Sequence, residues 1–193
     1  MPLIERADSL LIVVDAQPGF SGASADEAAA AARSRAVAAW LVGVAAALDV
    51  PIVVTEEDAP RNGPTDPGIA GLLPPGTPVI AKPVFGLADV PEILAAVETL
   101  GRRTAVIVGA ETDVCVAHSA IGLRDRGLRV VVVTDATFSP GAMHDLGLRR
   151  IRDAGVELHH AKGVYYEWLR TLEAARAFTT VNHDLAKPPG FRL

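Results

Sequence analysis

Short apolar runs alternate with longer helix-like stretches along the whole chain. Six runs are nearly continuous in Val, Ile, Leu and Ala, and we predict β-strands at residues 10–15, 51–55, 78–81, 105–109, 129–134 and 156–159. Apolar runs without regular polar alternation are typical of strands that are covered on both faces, as in parallel sheets.

The stretches between these strands have the composition and length of helices. We predict helices at residues 26–48, 89–100, 114–126, 140–154 and 166–179. The first is rich in Ala and ends before Pro51, while Gly127 and Gly155 follow the third and fourth as C-terminal stops. The alternation predicts an α/β fold of three layers, in which a mainly parallel six-stranded sheet has helices on both faces.

Length and composition favour one domain over residues 1–193. Half of the residues are hydrophobic, which is enough for a substantial core, and no shift in composition divides the chain. The segment 59–76 is rich in Pro and Gly and has no periodicity. We interpret it as a loop over a site, with a solvated loop of no function as the alternative.

Charge and cysteine content exclude several classes of protein. The net charge of -5 argues against a nucleic-acid partner, which usually meets a basic surface. The apolar run at residues 10–14 is too short for a membrane span or a signal-peptide core, so we expect no membrane partner. A single cysteine cannot form an internal disulfide, which favours a cytoplasmic protein.

Three reactive side chains follow three of the predicted strands. Asp15 ends the first strand, Lys82 follows the third, and Cys115 lies shortly after the fourth. Ligands of open α/β sheets bind outside the carboxyl ends of the strands, so we expect these groups to lie together. Each alone has an ordinary structural interpretation: a buried inert thiol, an aspartate in a turn, a surface lysine.

Together these residues fit nucleophilic catalysis. Cys115 lies in the first turn of a predicted helix, where backbone N–H groups and the helix dipole favour a thiolate. The ammonium of Lys82 can stabilise that thiolate further. Asp15 can carry the proton from the thiol to the leaving group if burial raises its pKa.

Two segments resemble the isochorismatase-like cysteine hydrolases, which include nicotinamidases, carbamoylsarcosine amidases and ureido-acid amidohydrolases. Segment 15–20 reads DAQPGF and is similar to the family's D-x-Q-x-x-F opening. Segment 109–116 reads GAETDVCV and is similar to the G-x-x-T-D-x-C-V signature around the family's nucleophile. Lys82 falls where the family's lysine follows its strand, and the resemblance extends over nearly the whole chain.

The resemblance implies a Rossmann-like sheet, an Asp15–Lys82–Cys115 triad and a cis peptide bond between Ala110 and Glu111. It also implies an oxyanion hole formed by the backbone N–H groups of Glu111 and Cys115. The expected reaction is cleavage of a C–N amide, ureido or carbamoyl bond of a small molecule through a thioester. Relatives of this kind commonly assemble, so we expect a homo-oligomer, a dimer or larger.

The chain departs from the metal-dependent nicotinamidases. They carry an Asp-x-His pattern after the second strand, whereas segment 55–60 here reads TEEDAP and no His precedes residue 118. We therefore expect neither a cofactor nor a transition-metal site. The carboxylates at 56–58 are interpreted as a solvated acidic loop, with a hard-cation site as the alternative.

Four further residues are weaker candidates for substrate binding: Gln17, Phe20, Phe85 and His118. For Gln17 the alternatives are that it orients a neighbouring loop or satisfies a turn. His118 lies one helical turn beyond Cys115 and is also a candidate alternative base. Two other functions stay open: a redox-acting cysteine, and a catalytically silent module for oligomerisation or ligand binding. A nucleotide-binding role is excluded, because no G-x-G-x-x-G follows the first strand.

Overall fold

The computed structural model describes residues 2–193, and its six strands form one sheet in which every neighbouring pair is parallel. The strands are β1 (Ser9–Val14), β2 (Ile52–Glu56), β3 (Val79–Ala81), β4 (Thr104–Ala110), β5 (Arg129–Phe138) and β6 (Glu157–His159). Their order in the sheet is β3-β2-β1-β4-β5-β6. All six predicted strands are confirmed. From β1 the chain adds β2 and β3 on one side of the sheet, and it then crosses over to add β4, β5 and β6 on the other side. Open α/β sheets bind their ligands at this point between β1 and β4, where the strand order changes direction.

Helices connect the strands. They are α1 (Ala25–Ala47), α2 (Ala59–Asn62), α3 (Pro67–Ala70), α4 (Pro91–Thr99), α5 (Ala117–Asp125), α6 (Met143–Asp153), α7 (Ala161–Leu169) and α8 (Leu172–Val181). Three short 3-10 helices (Arg6–Asp8, Leu87–Asp89 and His183–Ala186) and a π-helical turn (Thr112–Val116) complete the described chain. Within residues 2–193, no helix has both the length and the apolar character needed to cross a membrane.

The sheet lies between two apolar layers, which confirms the three-layer prediction. Along β1, Leu11 and Val13 pack with α1, α7 and α8, while Leu10, Ile12 and Val14 pack with α4, α5 and α6. Successive strand residues point to opposite faces, so a strand covered on both sides must be apolar at nearly every position. The edge strands β3 and β6 are partly exposed and do not have this double cover.

Helix α1 is placed by its own N-terminal residues. The hydroxyl oxygen of Ser24 accepts a hydrogen bond from the backbone N–H of Glu27 at 3.2 Å. In return, the carboxylate of Glu27 accepts the N–H of Ser24 at 3.0 Å. This capping box and the Ala-rich sequence that follows explain why the helix starts at Ala25.

Two predicted helices differ from the structure. The predicted helix at 166–179 is in fact α7 and α8, which are separated at Arg170 by a left-handed backbone conformation with φ 68°. Thr171 then caps α8 through its side chain, which accepts the N–H of Ala174 at 3.1 Å. The predicted helix at 114–126 begins as the π-helical turn and becomes α-helical only at Ala117.

The segment 59–76, which we expected to be a loop, contains α2 and α3. Each of these short helices has a proline in its first turn, where the missing N–H needs no partner. Asp66 caps α3 by accepting the N–H of Gly68 at 2.9 Å. Local capping therefore orders part of this segment into short helices, and it is not an irregular loop throughout.

Strands β1 and β4 approach each other closely at Gly109. Its φ is 128°, and a Cβ at this position would lie 1.8 Å from the carbonyl oxygen of Val14. The pairing of β4 with β5 also shifts here, because Ile107 pairs with Val132 but Gly109 pairs with Thr137. Glycine at 109 thus lets the chain leave β4 beside the end of β1, where the predicted catalytic residues are.

Candidate active site

Asp15 lies directly after β1 and is fully buried. Its Oδ1 accepts a hydrogen bond from the hydroxyl of Thr55 at 2.7 Å, and its Oδ2 is 2.9 Å from Nζ of Lys82. The backbone at Asp15 is left-handed, with φ 45°. Aspartate tolerates this conformation better than most residues, and it lets the chain turn out of the strand while the carboxylate stays at the sheet edge.

Lys82 follows β3 and is buried, which is rare for a lysine without a partner. Its ammonium has three neighbours: the carboxylate of Asp15, the carbonyl oxygen of Val84 at 2.6 Å, and Sγ of Cys115 at 3.6 Å. The structure therefore brings the three residues that the sequence singled out into one buried cluster.

Cys115 lies in the π-helical turn, and only 2% of its surface is exposed. Side chains from the end of β5 and from α6 hold this turn. The hydroxyl of Ser139 donates to Oδ1 of Asp113 at 2.6 Å, and the hydroxyl of Thr112 lies 2.9 Å from Nδ1 of His144. These contacts place the sulfur at the carboxyl edge of the sheet.

Burial and the charges around Cys115 act against the stabilised thiolate that the sequence predicts. Burial, followed by the negative charge of Asp15, raises the pKa of the Cys115 thiol, and the ammonium of Lys82 offsets this only in part. Burial also raises the pKa of Asp15, although Lys82 and Thr55 act in the opposite direction. The direction of the pKa shift at Cys115 is opposite to the one expected from the helix terminus.

The peptide bond between Ala110 and Glu111 is cis, and it leads directly into the turn that carries Cys115. The carboxyl group of Glu111 is half-buried. Burial, followed by the negative charges of Asp113 and Glu57, raises its pKa. The site therefore contains more carboxylates than the proposed triad alone supplies.

Glu57 is a site residue that the sequence interpretation missed. The thiol of Cys115 donates a hydrogen bond to its Oε2, with 3.2 Å between sulfur and oxygen. The interpretation of residues 56–58 as a solvated acidic loop is corrected, because Asp58 is exposed but Glu56 and Glu57 are partly buried. Glu56 also turns inward and accepts hydrogen bonds from the N–H and the hydroxyl of Thr65 at 2.6 and 2.7 Å.

Gln17 positions Glu57 and does not contact the cleft. It is fully buried. Its side-chain amide donates to the carbonyl oxygens of Glu57 and Gly63 at 3.0 and 2.5 Å, and its Oε1 accepts the N–H of Glu57 at 2.8 Å. The prediction that Gln17 binds substrate is therefore corrected: its polar atoms are used to hold the loop after β2.

An open cleft of about 850 Å³ lies beside the triad. Lys82 and Glu57, both in contact with the sulfur, line it together with the exposed side chain of Phe85. Phe20 borders a small internal void next to Gln17 instead, so the structure does not bring it to the cleft. Phe85 is thus the one weaker candidate that lies in this cleft.

His118 is exposed and lies beside Phe85, with 6.0 Å between the ring centres. Its Nδ1 is 2.6 Å from the carbonyl oxygen of Val114, one helical turn earlier. This ring nitrogen is engaged with the backbone. The geometry thus gives no support to His118 as an alternative base for Cys115.

One cluster among residues 2–193 has the composition of a metal site. Ligand atoms of Asp15, Glu57 and Cys115 all lie within 4.8 Å of one another. The ammonium of Lys82 already contacts Asp15 and Cys115, so it supplies the positive charge that a metal ion would bring.

A second cavity, of about 620 Å³, lies between α1, the end of β5 and residues 189–191. None of the three triad residues lines it. It contains the ion pair of Asp135 with His160, whose nearest oxygen and nitrogen are 3.0 Å apart. We assign no role in the chemistry to this cavity.

Comparison with known proteins identifies a family and several relatives. Residues 9–162 match the model of the isochorismatase domain. The chain is 30% identical to the probable hydrolase YcaC of Escherichia coli over 178 residues, which cover 88% of this chain and 84% of that protein. It is 34% identical to isochorismatase domain-containing protein 2 of Bos taurus over 135 residues, 68% of this chain, but spans only 63% of that relative's length.

Solved structures of the YcaC type have the same fold. The structure of E. coli YcaC is described as an octameric hydrolase of unknown specificity. It superimposes with a TM-score of 0.82 at 25% identity, and the match covers 96% of this chain and 93% of the YcaC chain. YcaC from Pseudomonas aeruginosa, with hexane-2,5-diol and covalent acrylamide, gives a TM-score of 0.78 at 25% identity, with 96% and 98% covered.

Proposed function

The chain belongs to the isochorismatase domain family of hydrolases, and from that premise we propose that it cleaves a C–N bond of a small amide, ureido or carbamoyl compound, with Cys115 as nucleophile. One observation carries this proposal: a buried carboxylate, an ammonium and the only thiol of the chain lie in contact beside an open cleft. A module that only binds or assembles has no need of that set.

We assign Asp15 as the proton carrier and Lys82 as the group that stabilises the thiolate. As the sulfur attacks the carbonyl carbon, the thiol proton moves to Asp15. The pKa of this carboxyl is raised by burial, which strengthens it as a base. Moving the proton from sulfur to Asp15 leaves the total charge of the three groups unchanged, so the reaction avoids creating an extra buried charge. The thiol can therefore react although its own pKa is raised.

The remaining steps follow acyl transfer. We assign the backbone N–H groups of Glu111 and Cys115 to the oxyanion that forms on the substrate carbonyl. Protonated Asp15 then gives its proton to the leaving nitrogen, the C–N bond breaks, and a thioester and a free amine or ammonia result. Asp15 next takes a proton from water and the resulting hydroxide attacks the thioester. The C–S bond then breaks, Asp15 returns the proton to the sulfur, and the product acid leaves.

The neighbouring structures supply further support. YcaC of P. aeruginosa is described with covalent acrylamide, which thiols attack at the C=C bond, so that adduct supports a nucleophilic group in that protein and does not bear on amide cleavage. E. coli YcaC is described as octameric, and on that similarity we propose that this chain also forms a homo-oligomer.

The test of this function is turnover of a panel of small carboxamides and ureido compounds by the wild type and by Cys115→Ala. We expect hydrolysis of at least one compound by the wild type and a loss of at least about 10³-fold in kcat in the variant, because the nucleophile is absent. Intact mass spectrometry of the wild type should detect the acyl-enzyme.

Asp15→Asn serves as a second variant, because it keeps the shape of the side chain but cannot accept the proton. We expect it to lose activity to a similar extent. Turnover that is unchanged in Cys115→Ala would reject the mechanism. Oxidation of Cys115 by peroxide without any amide turnover would favour the redox alternative.

A further inference from the structure

The cleft beside Cys115 has an unequal distribution of charge. Among the described residues that line it, four carry carboxylates (Glu56, Glu57, Asp58 and Glu92) and one carries an ammonium (Lys82). Most of the other lining residues are apolar, with Val84, Phe85 and Val90 among them.

The ammonium of Lys82 does not balance these carboxylates. Its Nζ is 2.9 Å from Oδ2 of Asp15, and both side chains are fully buried, so the two charges largely cancel. No ion pair among residues 2–193 involves Glu57, Asp58 or Glu92. The cleft therefore has a net negative potential.

Glu57 is the carboxylate closest to the chemistry. Its Oε2 is 3.2 Å from the sulfur, and a carbonyl carbon under attack lies about 3–3.5 Å from the nucleophile. The carbonyl carbon under attack therefore lies within about 7 Å of this carboxylate oxygen, a distance over which its charge acts on the substrate. An ionised carboxylate only accepts hydrogen bonds, so it attracts N–H groups and cations and repels other carboxylates.

The backbone of Glu57 is fixed by hydrogen bonds from neighbouring side chains, which anchors the start of its side chain beside the sulfur. Its N–H and carbonyl oxygen both bond to the side chain of Gln17, and the carbonyl oxygen also accepts a hydrogen bond from the side chain of Asn62 at 2.9 Å. The nearby carboxyl group of Glu111 has a raised pKa, owing to burial and then to Asp113 and Glu57, as expected where negative charge is concentrated.

We propose that this cleft takes small amides that carry a positive charge near the scissile bond, that it disfavours substrates that carry a carboxylate, and that Glu57 is the residue that makes this distinction. The proposal rests on the amide hydrolysis proposed above. Within the broad class of amide, ureido and carbamoyl compounds, it favours compounds with a positively charged group and disfavours ureido acids.

A first test does not depend on hydrolysis. Cys115 is the only cysteine of the chain, so thiol reagents report on this site alone. Two methanethiosulfonates of similar size, one with an ammonium group and one with a sulfonate, each form a mixed disulfide with the thiol and release methanesulfinate. The rate of modification by each reagent is measured by intact mass spectrometry at one pH and low salt. The ratio of the cationic to the anionic rate is then divided by the ratio that the two reagents give with a small free thiol, which corrects for their intrinsic reactivity.

We expect the cationic reagent to be favoured about tenfold in the wild type. Glu57→Gln keeps the side-chain shape and a hydrogen-bond acceptor but removes the charge, and it should lower this preference at least about threefold. Glu92→Gln is the matched control, because it removes the same charge from the cleft wall without contacting the sulfur. It should change the preference less than about twofold.

A preference for the anionic reagent, or equal effects of the two substitutions, would overturn the proposal. A melting curve of each variant shows whether it is folded. If Glu57→Gln does not fold, the same ratio is measured on the wild type in 50 mM and 500 mM NaCl. A preference that persists unchanged at high salt would contradict an electrostatic origin.

A second test uses three amides of nearly equal size: β-alaninamide, a cation; butyramide, which is neutral; and succinamate, an anion. We expect kcat/KM to fall in that order, and Glu57→Gln to reduce the ratio of the first to the third. Hydrolysis that requires Cys115 but favours succinamate would overturn this inference and leave the proposed function intact. No hydrolysis of any amide, together with the expected reagent preference, would overturn the proposed function instead.

Discussion

At the scale of single residues, the thiol of Cys115 is controlled by its charged neighbours. The sulfur lies 3.6 Å from the ammonium of Lys82 and 3.2 Å from a carboxylate oxygen of Glu57, and the negative charge of Asp15 also acts on it. Burial and the carboxylates disfavour the thiolate, while the ammonium favours it. The sum of these effects raises the pKa of the thiol.

This balance predicts the pH dependence of alkylation at Cys115. A raised pKa means that the thiolate fraction of the folded protein is smaller than that of a free thiol at every pH below the folded pKa. The rate of reaction with iodoacetamide should therefore keep rising with pH beyond about 8.5, where a free thiol is half ionised.

The measurement is the pH midpoint of the labelling rate, because the midpoint is independent of how accessible the sulfur is. The urea-unfolded chain is the control and should give a midpoint near the free-thiol value. A midpoint below that value in the folded protein would contradict the balance described here.

At the scale of elements, the nucleophile turn depends on the close approach of α6. Gly147 of α6 faces the turn, and a Cβ there would lie 2.7 Å from both the backbone N and Cα of Asp113. These are backbone atoms, so the contact cannot be relieved by rotating a side chain. The helix must lie this close for His144 to reach the hydroxyl of Thr112.

We predict that Gly147→Ala displaces the turn. The free energy of unfolding should fall by about 1–3 kcal/mol, as for other overpacked sites, and any activity that depends on Cys115 should fall with it. Urea denaturation and kcat/KM are the measurements.

Gly163 of α7 is the matched control for this substitution. Nothing lies within 4 Å of the position that its Cβ would take. Gly163→Ala should leave activity unchanged and stability unchanged or raised by up to about 1 kcal/mol, because alanine is the better helix former. Equal effects at the two glycines would mean that helix propensity, and not contact with the turn, explains the result.

At the scale of the whole molecule, the proposal of a homo-oligomer predicts the molecular mass of the protein in solution. Val79, Val84 and Phe85 are large apolar side chains that are about half exposed, at the edge strand β3 and just after it. Apolar surface of this kind is a common element of subunit contacts. Size-exclusion chromatography with light scattering should give a mass that is a multiple of 20.1 kDa. A monomer at micromolar concentration would contradict the prediction.

The sequence alone was sufficient for the architecture and for three members of the site. Apolar runs and helical stretches carry their own local signal, and a chain of alternating strands and helices has few ways to bury both faces of its sheet. Asp15, Lys82 and Cys115 could be placed together because parallel strands present their carboxyl ends at one edge. The motifs around Asp15 and Cys115 predicted the family.

The tertiary structure decided what depends on residues far apart in the chain. Glu57 contacts a sulfur 58 residues away, and Gln17 holds a loop 40 residues away, so no local pattern distinguished them from a solvated acidic loop and a turn. The sign of the pKa shift at Cys115 likewise depends on how deeply the folded chain buries the sulfur and which carboxylates it brings near. Local patterns specify elements and their order, but the potential at a site is a sum over distances that exist only after folding.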